Sequence, residues 1–158
     1  MKPGGKGKDA HCISAVVFDW DADGDFDIIM GDRDGGLWLT MNEGSAKEPK
    51  FATQSRPVMV GDKALNAGGK ITAPKVVDWD KDGLTDIIVG TFDGDVKLFR
   101  NAGKKGEPKL EAAKTLLKQE DSKDSALPEY GLYVDVVDFD NDGDWDLLVG
   151  AYTYFTDG

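Results

Sequence analysis

Cysteine, histidine and long apolar runs are nearly missing from this chain. Cys12 is the only cysteine in 158 residues, so no internal disulfide can form, and cysteine usage leaves the compartment open. Its default reading is a small buried hydrophobe. His11 is the only histidine, and one His with one Cys argues against a zinc site of nitrogen and sulfur ligands. No 18-residue apolar run occurs, so no membrane insertion is expected. Positive charge is scarce as well. There are 19 Lys and Arg against 30 Asp and Glu, a formal charge of −11. That balance repels nucleic acid and anionic membrane, and no basic stripe offsets it. No G-x-S-x-G and no phosphate-cradling glycine loop appears, and no catalytic residue is expected. Residues 1–14, opening "MKPGGKGKDAHC", read as a flexible segment and not as a signal peptide. Any secretion signal is expected to have been removed or to lie outside these residues.

What the chain does have is aspartate, glycine and repetition. "FDWDADGDFDIIMG" from position 18 puts five aspartates into nine residues beside an apolar run. The pattern returns as "VDWDKDGLTDIIVG" from position 77 and "VDFDNDGDWDLLVG" from position 137. The first aspartates, Asp19, Asp78 and Asp138, are spaced by 59 and then 60 residues. Residues 19–50 laid on 78–109 give 17 identities in 32 positions without a gap. Such a fixed period decides the architecture before local propensity does.

Each unit reads as short strands. "AVVFDW", "KVVDW" and "VDVVDF" lead into the acidic loops. "DIIMG", "DIIVG" and "DLLVG" are short continuous apolar runs, the signature of strands buried on both faces. Asp34-Gly35 and Asp93-Gly94 predict two-residue type I′ turns, with φ > 0 at both central positions. "GLWLTMN" and "DVKLFRN" predict third strands, and "FATQSRPVMVG" a fourth. "LEAAKTLLKQE" has helical composition, yet the repeat register puts a strand there, and the register is preferred. The expectation is an all-β chain of β-propeller blades with four antiparallel strands each. About two and a half blades are present: blade 1 over 15–73, blade 2 over 74–133 and partial blade 3 over 134–158. A flat β-sandwich is the rival, but it has no reason to repeat at a fixed period. Propellers need roughly four to eight blades, so the chain is expected to be a fragment. Remaining blades would come from the same longer chain or, second, from other chains.

The loop pattern is D-x-D-x-D-G-x-x-D. Without a cation its carboxylates repel one another. Calcium takes 6 to 8 hard oxygens in flexible geometry, which suits this spacing. Magnesium prefers fewer protein oxygens. The predicted ligands are Asp19, Asp21, Asp23, the Asp25 carbonyl and Asp27 in loop one. In loop two they are Asp78, Asp80, Asp82, the Leu84 carbonyl and Asp86. In loop three they are Asp138, Asp140, Asp142, the Asp144 carbonyl and Asp146. Leu84 at the seventh position argues for a carbonyl ligand there, because its side chain cannot coordinate. Helical calcium hands place Glu at position 12, where this chain has Met30, Val89 and Val149. The loops therefore join strands. About three Ca2+ sites are expected.

These residues resemble the FG-GAP and VCBS-type repeats of surface and secreted proteins, and the calcium-binding blades of integrin α-subunit propellers. The likeness runs over residues 15–158 and is clearest in "VVDWDKDGLTDIIVG" at 76–90. It implies a propeller with calcium in each loop, and ligand roles for the first, third, fifth and ninth loop positions. It implies binding or adhesion more often than catalysis, in an extracellular, cell-surface or periplasmic setting. Two function readings follow. One is a module that binds protein or glycan. The other is a scaffold segment of a larger calcium-dependent carbohydrate-active enzyme, such as a polysaccharide lyase. Trp38, Phe99, Tyr130, Tyr133, Tyr152, Tyr154 and Phe155 are candidates for exposed loop or edge positions. Trp20, Trp79 and Phe139, second in each loop, are expected to pack structurally.

Overall fold

A computed structural model describes residues 14–118 and 133–150. Those residues form strands and no helix. In chain order the strands are β1 (Ser14–Phe18), β2 (Asp27–Gly31), β3 (Leu37–Thr40), β4 (Arg56–Pro57), β5 (Met59–Val60) and β6 (Lys63–Ala64). They continue as β7 (Thr72–Val77), β8 (Asp86–Thr91), β9 (Val96–Phe99), β10 (Lys114–Leu117), β11 (Tyr133–Val137) and β12 (Asp146–Gly150).

Each repeat opens with the same hairpin. β1 pairs antiparallel with β2, β7 with β8 and β11 with β12. The register ends on the ninth loop residue every time: Phe18 opposite Asp27, Val77 opposite Asp86, Val137 opposite Asp146. The acidic loop is therefore the turn of the first hairpin. A third and a fourth strand extend the first two repeats into sheets of order β1-β2-β3-β4 and β7-β8-β9-β10. β11 and β12 form a two-stranded sheet, and β5 and β6 a small hairpin in the connection between the first two sheets. Four-stranded antiparallel meanders repeated along a chain are propeller blades. β7 packs against β1 and β2, and β11 packs against β7 and β8. Successive first strands thus stand side by side.

The apolar runs show why the sheets stack. Ile87 and Val89 join Ile29, Leu37 and Leu39 of the first sheet in one core. Ile88, between them, turns to the other side and joins Val96, Leu98 and Val134 in a second core. Alternate side chains of β8 thus serve two blade interfaces, which requires a run without polar interruption. The third run departs from the expectation. Leu147 and Val149 pack against the second core, but Leu148 is 45 % exposed.

Two further expectations change, and the preference for a strand in the segment of helical composition is borne out. The hairpins at Asp34-Gly35 and Asp93-Gly94 are not type I′ turns. Only the glycines have positive φ, at 90° and 92°. Asp32 N–H donates to the Gly36 carbonyl and Thr91 N–H to the Asp95 carbonyl, which leaves three-residue loops with glycine in the left-handed position. The segment of helical composition contains β10, paired with β9 across a bulge between Thr115 and Leu117. An available strand edge overrides its propensity there. Phe99, expected near the surface, is 2 % exposed in the first core, because β9 turns it inward between the two sheets.

Candidate metal centres

The three acidic loops share one hydrogen-bonding plan. The first aspartate accepts from the sixth-position glycine: Gly24 N–H to Asp19 Oδ2 at 3.1 Å, Gly83 to Asp78 at 2.9 Å, Gly143 to Asp138 at 3.1 Å. The fifth accepts from the seventh: Asp25 N–H to Asp23 Oδ1 at 3.0 Å, Leu84 to Asp82 at 2.9 Å, Asp144 to Asp142 at 2.8 Å. The ninth accepts from the second: Trp20 N–H to Asp27 Oδ2 at 3.0 Å, Trp79 to Asp86 at 3.0 Å, Phe139 to Asp146 at 2.8 Å. Each loop curls on itself through carboxylate-to-backbone bonds, which draws its acids together.

The curl needs two left-handed residues. Position 6 has φ of 98°, 89° and 92° at Gly24, Gly83 and Gly143. No neighbour would obstruct a Cβ at these glycines, so their backbone conformation alone selects glycine. Position 4 is also left-handed, at Ala22 (60°), Lys81 (59°) and Asn141 (59°). Of these only Asn favours that region, so its recurrence across three side chains marks a conformation set by the loop.

Carboxylate oxygens from Asp19, Asp21 and Asp23 lie within 4.8 Å of one another, as do those from Asp78, Asp80 and Asp86 and from Asp138, Asp140 and Asp146. Positions 1 and 3 are thus clustered in every loop. The fifth position joins them in loop one, and the ninth in loops two and three. Asp27, Asp82 and Asp142 stand outside those clusters. At position 7, Leu84 is partly buried, Asp144 is exposed and Asp25 is buried. Two first-position oxygens, Asp19 Oδ1 and Asp138 Oδ1, are buried without a hydrogen-bond partner, as is Asp25 Oδ1. Buried oxygens of ionised groups normally have partners. A hard cation bound by the cluster would supply one, so the donor set fits calcium.

The ninth aspartate has a second duty. Asp27 Oδ1 accepts the Asn42 N–H at 2.7 Å, and Asp86 Oδ1 the Asn101 N–H at 2.7 Å. Both carboxylates are fully buried, and burial pushes their pKa up. The bonds from Asn42 and Trp20, or Asn101 and Trp79, pull it part of the way back. Burial also raises Asp25, with Asp23 beside it adding to the effect. Asn42 and Asn101, shared between repeats but given no role by sequence reasoning, then organise the next turn. Asn42 Oδ1 accepts from Gly44 and Lys50, and Asn101 Oδ1 from Gly103 and Lys109. The Asn, Gly and Lys shared between repeats were the signal that could have revealed this tie.

The aromatics divide. Trp20 packs on the first core and Trp79 on the second. Phe139 does not follow them and is 72 % exposed. No described strand beyond β12 lies over it. Trp38 is half-buried, its indole N–H donating to Asp32 Oδ2 at 2.6 Å. Tyr133 is 48 % exposed. Tyr130, Tyr152, Tyr154 and Phe155 lie outside the described residues. Loops two and three also touch. Lys81 Nζ reaches the Gly143 carbonyl and Asp144, and Trp145 Nε1 donates to the Asp78 carbonyl at 2.8 Å.

Repeated four-stranded meanders, each opened by an acidic hairpin loop, define a β-propeller-like repeat module. The model of the FG-GAP-like repeat matches residues 19–89 and again residues 78–149, and the chain belongs to that family. No curated protein matches the chain, and no solved structure does either.

Proposed function

We propose that this chain is a calcium-binding propeller segment that works by binding or adhesion to a protein or glycan outside the cytoplasm. One calcium is held per acidic loop. Positions 1 and 3 supply carboxylates in every loop, positions 5 and 9 complete the set, and Asp25, Leu84 and Asp144 offer carbonyls. The observation that carries the reading is the pair of buried, unpartnered oxygens at the same loop position, Asp19 Oδ1 and Asp138 Oδ1. Bound calcium offsets part of each loop's negative charge and fixes the hairpins they close, which holds the rim of the blades in one shape for a ligand. A binding role fits better than catalysis, since catalytic residues have no reason to recur at three equivalent positions. The rest of the ring would come from the same longer chain or from other chains. Exposed Val17 on β1, with Tyr133 and Leu148 on the third sheet, is apolar surface that further blades could cover.

Calorimetric titration with calcium tests this reading. Saturable uptake by more than one site is expected, at roughly 10⁻⁴–10⁻³ M or tighter. Heats no larger than dilution would refute it.

A further inference from the structure

The three loops are alike in backbone and unlike in charge. Arg100 directly follows β9, and its Nη2 lies against both Asp80 Oδ2 and Asp82 Oδ2, the latter at 3.3 Å. These are positions 3 and 5 of loop two. At the corresponding place after β3, the first repeat has Met41, which packs on the first core. The first-position aspartates differ in the same sense. Asp19 Oδ1 and Asp138 Oδ1 are buried without partners, whereas Asp78 Oδ1 accepts the Asp82 N–H at 3.0 Å. Loop two thus already holds a cation and leaves no first-position oxygen unpartnered. Lys81 does not do the same for loop three. It reaches Gly143 and exposed Asp144, not the cluster of Asp138, Asp140 and Asp146.

We propose that Arg100 is an internal counter-cation that makes loop two the weakest calcium site, filled only when the guanidinium is displaced. The inference rests on the calcium reading above. A guanidinium stays charged at any pH the fold survives, so calcium must compete with it at every pH. Among the described residues, no Lys or Arg pairs with the clustered carboxylates of loop one or of loop three. Calcium would then bind in two classes, the tighter one in loops one and three. The weaker site is a point where local calcium concentration could alter the second blade alone.

Two measurements test this. In calcium calorimetry, the wild-type chain should show a tight class and a weaker site. Arg100→Met, which copies the first repeat, should tighten the weak site by about tenfold or more, because site charge sets calcium affinity in such loops. Met41→Arg should weaken one tight site comparably. Three equal sites in the wild type, or an Arg100→Met titration identical to wild type, would overturn the inference and leave the calcium reading standing. No uptake by any protein would end both. The second measurement needs no calcium and covers the case in which Arg100→Met does not fold. In EDTA, Asp80→Asn should lower the melting temperature, since it strips Arg100 of a partner. Asp21→Asn, its counterpart in loop one, should leave it unchanged or raise it by relieving repulsion. Equal shifts in the two variants would overturn the role of Arg100.

Discussion

Among single residues, the ninth loop aspartate carries the most structure. Asp86 is buried and holds the N–H groups of Trp79 and Asn101. Removing it leaves one buried and one part-buried donor unpaired, a buried one costing about 1–3 kcal/mol. Asp86→Ala should therefore lose about 3 kcal/mol by urea denaturation even in EDTA, and a loss under about 1 kcal/mol would contradict the geometry. Burial raises the folded-state pKa of Asp25, Asp27 and Asp86 above the ordinary 3.8. Groups raised in this way contribute stability that is complete below the unfolded value and lost as pH rises through the folded value. Asp135 runs the other way: the Val136 N–H and Lys75 hold it low, but that pair is exposed and counts for little. Calcium-free protein should then melt at lower temperature as pH rises above about 4. With calcium the slope should reverse, because ionised carboxylates are the ligands. Equal slopes in both conditions would contradict it. The aspartate spacing and the glycine at position 6 were legible in the sequence. The left-handed fourth position was not, because Ala22 and Lys81 are not residues that announce it. Nor was the Arg100 contact, since only folding brings the end of β9 onto the preceding hairpin loop.

At the scale of the strand, the close approach of successive sheets is the governing contact. A Cβ on Gly31 would lie 1.9 Å from the Thr72 carbonyl oxygen, which belongs to the first strand of the next blade. That backbone is tied down, since Thr72 N–H donates to the Asp32 carbonyl at 2.9 Å and Asp32 N–H to Thr72 Oγ1 at 2.9 Å. Gly31→Ala should therefore force the two sheets apart and cost about 3 kcal/mol, as overpacking of a fixed contact does. Gly24→Ala meets nothing and should cost only the left-handed backbone, about 1–2 kcal/mol. Thermal melts of the two variants check the order, and a milder effect at Gly31 would contradict the packing. The strands themselves were readable from apolar runs. The turn type after β2 and β8 was misread because Asp-Gly fits a two-residue turn as well as the last two places of a three-residue one. The fourth strand was read within "FATQSRPVMVG", but its split into β4 and the small hairpin β5–β6 has no periodicity long enough to be read.

At the scale of the whole molecule, the repeat period was the most informative feature, and it predicted blades, their order and the place of each loop. What it could not supply is inequality between blades. Leu148 and Phe139 of the third repeat are exposed where their counterparts in the second repeat are covered, because what lies against a blade is not written in the blade's own residues. Charge acts at this scale too. With a net charge of −11 concentrated in three hairpin loops, the calcium-free protein works against its own repulsion. Each loop filled at a hundred times its dissociation constant adds about 2.7 kcal/mol to the native state. The most direct measurement is the melting temperature of the full chain in saturating calcium and again in EDTA. Filling even two loops should raise it by about 10 °C or more, at about 2–4 °C per kcal/mol for a chain of this size. A melting temperature that EDTA leaves unchanged would contradict calcium as the partner of these loops.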